Sequence, residues 1–352
     1  MPYSIEDKFS KGSHIVIVTI EGKMGFIDTS GSFVIQPQFE YAKSFSEGLA
    51  PVLSGSRGWG FIDTLGNFVI QPQFSGADEF SEGLAPVQID RKWGFIDESG
   101  SFVIQPQFKY AHSFSEGLAP VEIESKIDGK VDRKYGFIDK SGNVVIQPQF
   151  KYAHSFSEGL ALVKFGTGPK LPTLLLPDGF LENGFIDKSG NFVIHLKFDN
   201  AKSFSEGLAL VTKDNGDPNY EIKKLEFIDK SGNVAIQLLP QFDSASEFSE
   251  GLASVRTQVG NRKCGFIDKL GNFVIQPQFD YTRSFSEGLA SVKIEGRGWG
   301  FIDKLGNFVI PPQFDKTANF FNGLARFRIK GKYGLINKLG KIVKEGIDKV
   351  DL

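Results

Sequence analysis

The chain has 352 residues, 40% of them hydrophobic and 23% charged, with a formal net charge of −2. This balance excludes a disordered chain and a basic surface suited to nucleic-acid phosphates. Phe outnumbers Met by 35 to 2, which predicts a core of flat rings, and the single cysteine, Cys264, leaves no intrachain disulfide framework and suits a reducing compartment.

At the start, "MPYSIEDKFSKGSHIVIVTI" places acids and serines where a signal peptide needs a basic start and an apolar stretch. The apolar runs "IVIVTI" and "LPTLLLP" are six and seven residues long, far below the roughly 18 needed to cross a bilayer. A soluble cytoplasmic protein without membrane contact is expected.

From Gly25 onward the chain repeats itself. The segment "GFID" recurs from Gly25, Gly60, Gly94, Gly136, Gly184, Gly265 and Gly300, with altered copies headed by Glu226 and Gly334. Between these copies lies "FSEGLA", starting at Phe45, Phe80, Phe114, Phe156, Phe204, Phe248 and Phe285, with "FFNGLA" from Phe320. Within the unit from Gly83 to Phe108, the apolar runs "LAPVQI", "WGFI" and "FVI" are separated by "DRK" and "DESGS". Short runs bounded by turn formers predict an antiparallel meander of three strands. Asp97 is expected to cap the second turn and Gly100 to close it through positive φ, and the same D-x-x-G spacing recurs at Asp63 and Asp139. The proline of "QPQF" predicts a strand end or edge.

Phe61 and Ile62 are neighbours, as are Phe68, Val69 and Ile70, so both faces of each small sheet must be covered and the sheets are expected to stack face to face. The expected fold is all-β: a tandem array of about nine three-stranded meanders forming an open superhelix or solenoid, with a closed propeller-like ring as the alternative. Whole units without a blade split between the ends favour the open form. In this reading residues 1–24 are an N-terminal cap strand, 25–325 eight repeats and 326–352 a capping half-repeat whose lysines face water.

The recurring "KWGFID", "G-x-x-V-I-x-P-x-F" and "F-x-E-G-L-A" resemble the WG repeat family, also called KWG repeats, found mostly in bacterial proteins. The resemblance spans nearly the whole chain and implies a β-repeat scaffold with no shared catalytic activity. The tryptophan of the motif stands only at Trp59, Trp93 and Trp299, and the position otherwise holds Met24, Tyr135, Asn183, Leu225, Cys264 and Tyr333.

Little in the chain points to catalysis. The aspartates from Asp28 to Asp303 and the "SEG" glutamates from Glu47 to Glu287 occupy one environment repeated many times, whereas acid–base catalysis needs carboxylates in different environments. His112 and His154 share a repeat position that elsewhere holds Lys43, Lys202 or Arg283, which predicts solvated side chains, and His14 and His195 have no partners at ligand spacing. Cys264, in the tryptophan position, reads as a core substitute. No phosphate-cradling glycine loop is present, and no cofactor or metal is expected.

The expected function is a non-enzymatic scaffold for an unidentified protein partner, acting as a monomer, with a small-molecule or glycan-binding protein as the alternative. Two places are candidates for recognition. One is the aromatic position at Trp59, Trp93 and Trp299. The other arises because the hairpin before "GFID" lengthens in three consecutive units, from Val121 to Gly136, Val163 to Gly184 and Val211 to Glu226. The largest insertion carries Lys164, Phe165, Lys170, Leu174, Leu175, Leu176 and Phe180, and equivalent loops of a stacked array emerge together.

Overall fold

The computed structural model describes residues 15–127, 130–165, 183–196, 198–214, 223–258 and 262–348. Among these, regular structure is β-strand apart from one 3₁₀ turn at Gly55–Arg57. The strands form nine small antiparallel sheets, eight of four strands and a first one of three.

The third sheet shows how the sequence builds a unit. Ala85–Ile89, Lys92–Ile96 and Phe102–Phe108 form the meander, with Val87 opposite Gly94 and Phe95 opposite Ile104. Asp97 Oδ1 accepts the N–H groups of Ser99 and Ser101 at 2.9 and 3.0 Å, and Gly100 closes the turn at φ 84°. Between the pairs Trp93–Phe108 and Phe95–Ile104 the outer strand carries two extra residues. This bulge, on an edge strand, holds Pro106, where a missing N–H costs no ladder bond. The bulged chain folds down over Gly94. A Cβ there would lie 2.5 Å from the Ile104 carbonyl oxygen, so the glycine after the tryptophan position is required by close approach.

The fourth strand is one that sequence pattern misses, and it corrects the three-stranded expectation. Gly76–Ala77 pairs with Gln88 and Val87, and the ladder continues through Ser75 N–H to Gln88 and Asp78 N–H to Pro86, both at 2.9 Å. Two residues carry no alternation, so the linker reads as a loop until its partner strand is in place.

Consecutive apolar residues do point to opposite faces. Ile96 packs with Phe61, Ile70 and Phe74 of the second sheet, while Phe95 packs with Phe114, Ala119 and Ile138 toward the fourth. At each junction from the first two sheets to the last two, the "FSEG" phenylalanine of one sheet meets the "GFID" phenylalanine of the sheet before it, as in Phe95–Phe114 with ring centroids 4.9 Å apart.

An open stack of nine sheets has eight internal junctions, but the described residues form a ninth. Leu324, Leu335 and Ile347 of the last sheet pack on Val16, Val18 and Ile27 of the first. Asp348 N–H donates to the Thr19 carbonyl at 2.7 Å, and Arg326 Nη2 donates to the Ile17 carbonyl at 3.1 Å. The open solenoid is therefore overturned, and the fold is a closed ring of nine blades, a nine-bladed β-propeller. The two ends meet on the first blade: Asp348 N–H to the Thr19 carbonyl repeats the Ser75 N–H to Gln88 bond beside which the fourth strand of the third blade forms, which corrects the expectation that no blade is split between the ends. Nor do the lysines of the last unit simply face water: Lys338 pairs with Glu287 of the eighth blade at 2.9 Å, and Lys344 Nζ lies 4.1 Å from the Phe33 ring centroid of the first.

Candidate interaction face

Each blade has two ends, and they differ in kind. One carries the "SEG" and "D-x-x-G" turns. In every described "SEG" turn the glutamate has positive φ, 53° at Glu47 and 55° at Glu116, followed by a glycine near 85°. Glutamate is a poor residue for that conformation, and its side chain shows what holds it there. Glu116 accepts the Gly159 N–H at 3.0 Å and pairs with Lys188 at 3.2 Å, both in the next blade, while Ser115 Oγ donates to the Phe156 carbonyl at 2.8 Å. The same clasp runs from Glu82 to Gly117 and Lys140, and from Glu206 to Gly251 and Lys269. In the ninth blade Asn322 replaces the glutamate and donates to the Ile15 carbonyl at 3.2 Å across the ring closure. Partial burial raises the Glu116 pKa, but the Gly159 N–H and Lys188 outweigh it and hold the carboxyl below its ordinary value. Asp97 is likewise lowered, chiefly by the Ser99 hydroxyl. This end is a set of repeated, internally satisfied turns.

The opposite end varies from blade to blade. Here the tryptophan position meets the tyrosine of the short strand. Tyr41 lies 5.7 Å from Trp59, Trp93 lies 5.9 Å from Tyr110, and Tyr281 stacks on Trp299 at 6.4 Å. Across the third to fifth blades these contacts join into one track, Trp93 to Tyr110, Tyr110 to His112, His112 to Tyr135, and Tyr135 to Tyr152. Tyr41, Tyr110, Tyr152 and Tyr281 are each 40% to 55% exposed. The tryptophans are half-buried, packed on the inter-blade clusters and against the neighbouring tyrosine. Cations lie over the rings, Lys43 above Trp59 at 5.9 Å and Arg283 above Trp299 at 5.7 Å.

Burial and the neighbouring Glu122, Tyr110 and Tyr152 push the Tyr135 hydroxyl up to about 12. His112 is half-buried, which corrects the solvated side chain expected from lysine at its repeat position, and burial followed by the charge of His154 lowers its pKa. Its neighbours in the track are aromatic, and this close packing is what a repeat-position comparison with lysine overlooks. Cys264 is buried, and burial pushes its thiol up, away from the thiolate a nucleophile needs.

The lengthened hairpins rise from this same end. In the fourth blade Ala119–Ile127 pairs with Lys130–Ile138 over nine residue pairs, twice the reach of its neighbours. The stems of the next two are in place, Lys164 opposite Asn183 and Asp214 opposite Lys223. Of the candidate loop residues, Phe165 packs on Phe150 and Phe192 at 5.1 and 5.5 Å and so belongs to the blade junction. Lys170, Leu174, Leu175, Leu176 and Phe180 lie outside the described residues. Among the described residues no three His, Cys, Asp or Glu side chains converge as a metal site, and no helix is long and apolar enough to cross a membrane.

Closed ring, repeated clasps and a varied aromatic end define a β-propeller repeat protein. The family model for the WG containing repeat matches residues 24–56, 59–93, 93–126, 135–166, 184–216, 227–258, 265–297 and 299–333. The chain belongs to that family. No curated protein matches it. Among solved structures it is similar to one described as the crystal structure of the eukaryotic initiation factor, at 10% identity over 94% of each chain with a TM-score of 0.45.

Proposed function

We propose that the chain is a non-enzymatic scaffold in a reducing, cytoplasmic setting, a monomer that holds a protein partner on the aromatic end of the ring. The observation that carries this reading is the continuous track from Trp93 to Tyr152 beside the projecting hairpin of the fourth blade. Tyr, Trp and Arg are the side chains that concentrate binding energy at protein interfaces. Variation among the chain's own repeats supports the choice of end. The clasp end writes Ser, Glu and Gly seven times, whereas the position after the short strand reads Lys43, Asp78, His112, His154, Lys202, Ser246, Arg283 and Ala318. Positions released from making the fold are those free to specialise.

A second reading, glycan binding, is favoured by the exposed flat rings of Tyr41, Tyr110, Tyr152 and Tyr281. One experiment separates the two. A photo-crosslinking residue is placed at Tyr110 or Tyr152, or at Leu65 on the clasp end, and the full chain is irradiated in its native cell. The scaffold reading expects protein adducts from the first two sites that are absent from the third. Adducts from Leu65 alone would overturn it, and glycan-only adducts would favour the second reading.

A further inference from the structure

Lys43 and Arg283 occupy the same repeat position, in the second and eighth blades, and each lies over the tryptophan of its own blade. What differs is the blade that follows. After Lys43, the third blade supplies Asp78, whose Oδ1 lies 2.9 Å from Lys43 Nζ, and Glu79, whose Oε1 accepts the Ser44 N–H at 3.0 Å. After Arg283, the ninth blade supplies Ala318 and Asn319 at those two positions. The carboxylate that the repeat provides in one place is missing in the other, and Arg283 Nε is buried without a hydrogen-bond partner.

The space left is a cleft of about 370 Å³ lined by Ser244, Ser246, Arg256, Thr282, Arg283 and Asn319, among others. Asp243, the carboxylate near it, is taken by Arg256 Nε at 2.7 Å and by Arg262 at 3.5 Å. Within the lining Ser246 Oγ donates to the Glu247 carbonyl and Thr282 Oγ1 is paired with Ser254 Oγ, whereas Arg283 Nε is an unpartnered donor on an arginine whose charge the neighbouring blade does not balance. We propose that this cleft binds an oxyanion, the carboxylate or phosphate group of a ligand, which completes Arg283 as Asp78 completes Lys43. Guanidinium suits such a group because its planar fork offers paired donors to two oxygens.

Arg283 lies against Trp299, so occupancy should be visible in the fluorescence of that ring. In the full chain carrying W59F and W93F, Trp299 is the remaining tryptophan, and it is titrated with inorganic phosphate, with acetate, and with chloride at matched ionic strength. The expected result is a saturable change with phosphate or acetate and none with chloride, the stronger of the two oxyanions naming the group. R283Q weakens the half-saturation at least tenfold, and A318D, which installs the carboxylate of the third blade, removes the response while the melting temperature is kept or raised. K43Q leaves the response unchanged. A response equal in chloride, absent with both oxyanions, or undiminished in R283Q and A318D would overturn the proposal.

Discussion

Glu116, held at φ 55°, accepts the backbone N–H of Gly159 at 3.0 Å in the blade that follows it. The left-handed backbone aims this carboxylate at the neighbouring blade, and the neighbouring blade in turn offsets the strain. Two opposed effects of similar size thus meet at one residue, each on the order of 1 kcal/mol.

This predicts an ordering. Glu116→Ala loses the clasp and keeps the strain, and should lower stability by about 1 to 2 kcal/mol. Glu116→Gly loses the clasp but relieves the strain, and Glu116→Asn copies Asn322 of the ninth blade, so both should fall between the parent and the alanine variant. Urea denaturation followed by circular dichroism gives the order, and an alanine variant as stable as the glycine one would show that the backbone conformation is not strained.

Gly94 predicts a sharper loss. A methyl group there collides with the Ile104 carbonyl and with Pro106 nitrogen at 2.5 and 2.7 Å, both backbone atoms that cannot rotate away. Gly94→Ala should cost about 3 kcal/mol or more, at the upper end of overpacking effects. The sixth blade supplies the natural counterpart. Glu226 stands at the glycine position, and its partner strand ends at Gln237 with Glu226 directly opposite and no bulge folded over it. Glu226→Gly should therefore leave the fold intact, and melting temperatures of the two variants test the contrast.

His112 sets a pH dependence. Burial first, then the charge of His154, places its folded pKa below 6.5, with Asp78 acting weakly in the other direction. The unfolded chain therefore takes up the proton first, so stability is full above about pH 6.5 and declines as pH falls through the folded value. The capping aspartates, whose folded pKa values lie below 3.8, lose their contribution only at still lower pH. His154 is lowered by burial as well and shares this window, so His112→Gln should make the upper window shallower and leave the lower one, as read from denaturation midpoints between pH 7 and 3. An unchanged upper window would assign that slope to other groups.

Much of the blade was legible because its signals are local. Paired apolar residues such as Phe95 and Ile96 announce a strand covered on both faces, and Asp97 with Gly100 announces the turn between strands. The fourth strand was not legible, since Gly76 and Ala77 become a strand only through Val87 and Gln88. Nor was ring closure, which depends on Leu335 meeting Val18 from the far end of the chain. The aromatic end was half legible: the tryptophans stood out, but the tyrosines beside them did not. The tyrosine before alanine that recurs at Tyr41, Tyr110 and Tyr152 in "YAKSF" and "YAHSF" was the available signal, and only packing between blades showed that Tyr110 and Tyr152 join Trp93 and Tyr135 in one track.

The central claim is closure of nine blades, and a distance across the closure tests it directly. Spin labels are placed at Glu21 and Glu345, both exposed and flanking the bond from Gly22 N–H to Asp348 Oδ2, in a chain carrying Cys264→Ser. Pulsed electron–electron resonance should report a separation within about 20 Å, because sheets packed face to face lie ~10 Å apart. A separation near 80 Å, the span of nine such sheets laid in a line at ~10 Å each, would contradict the ring.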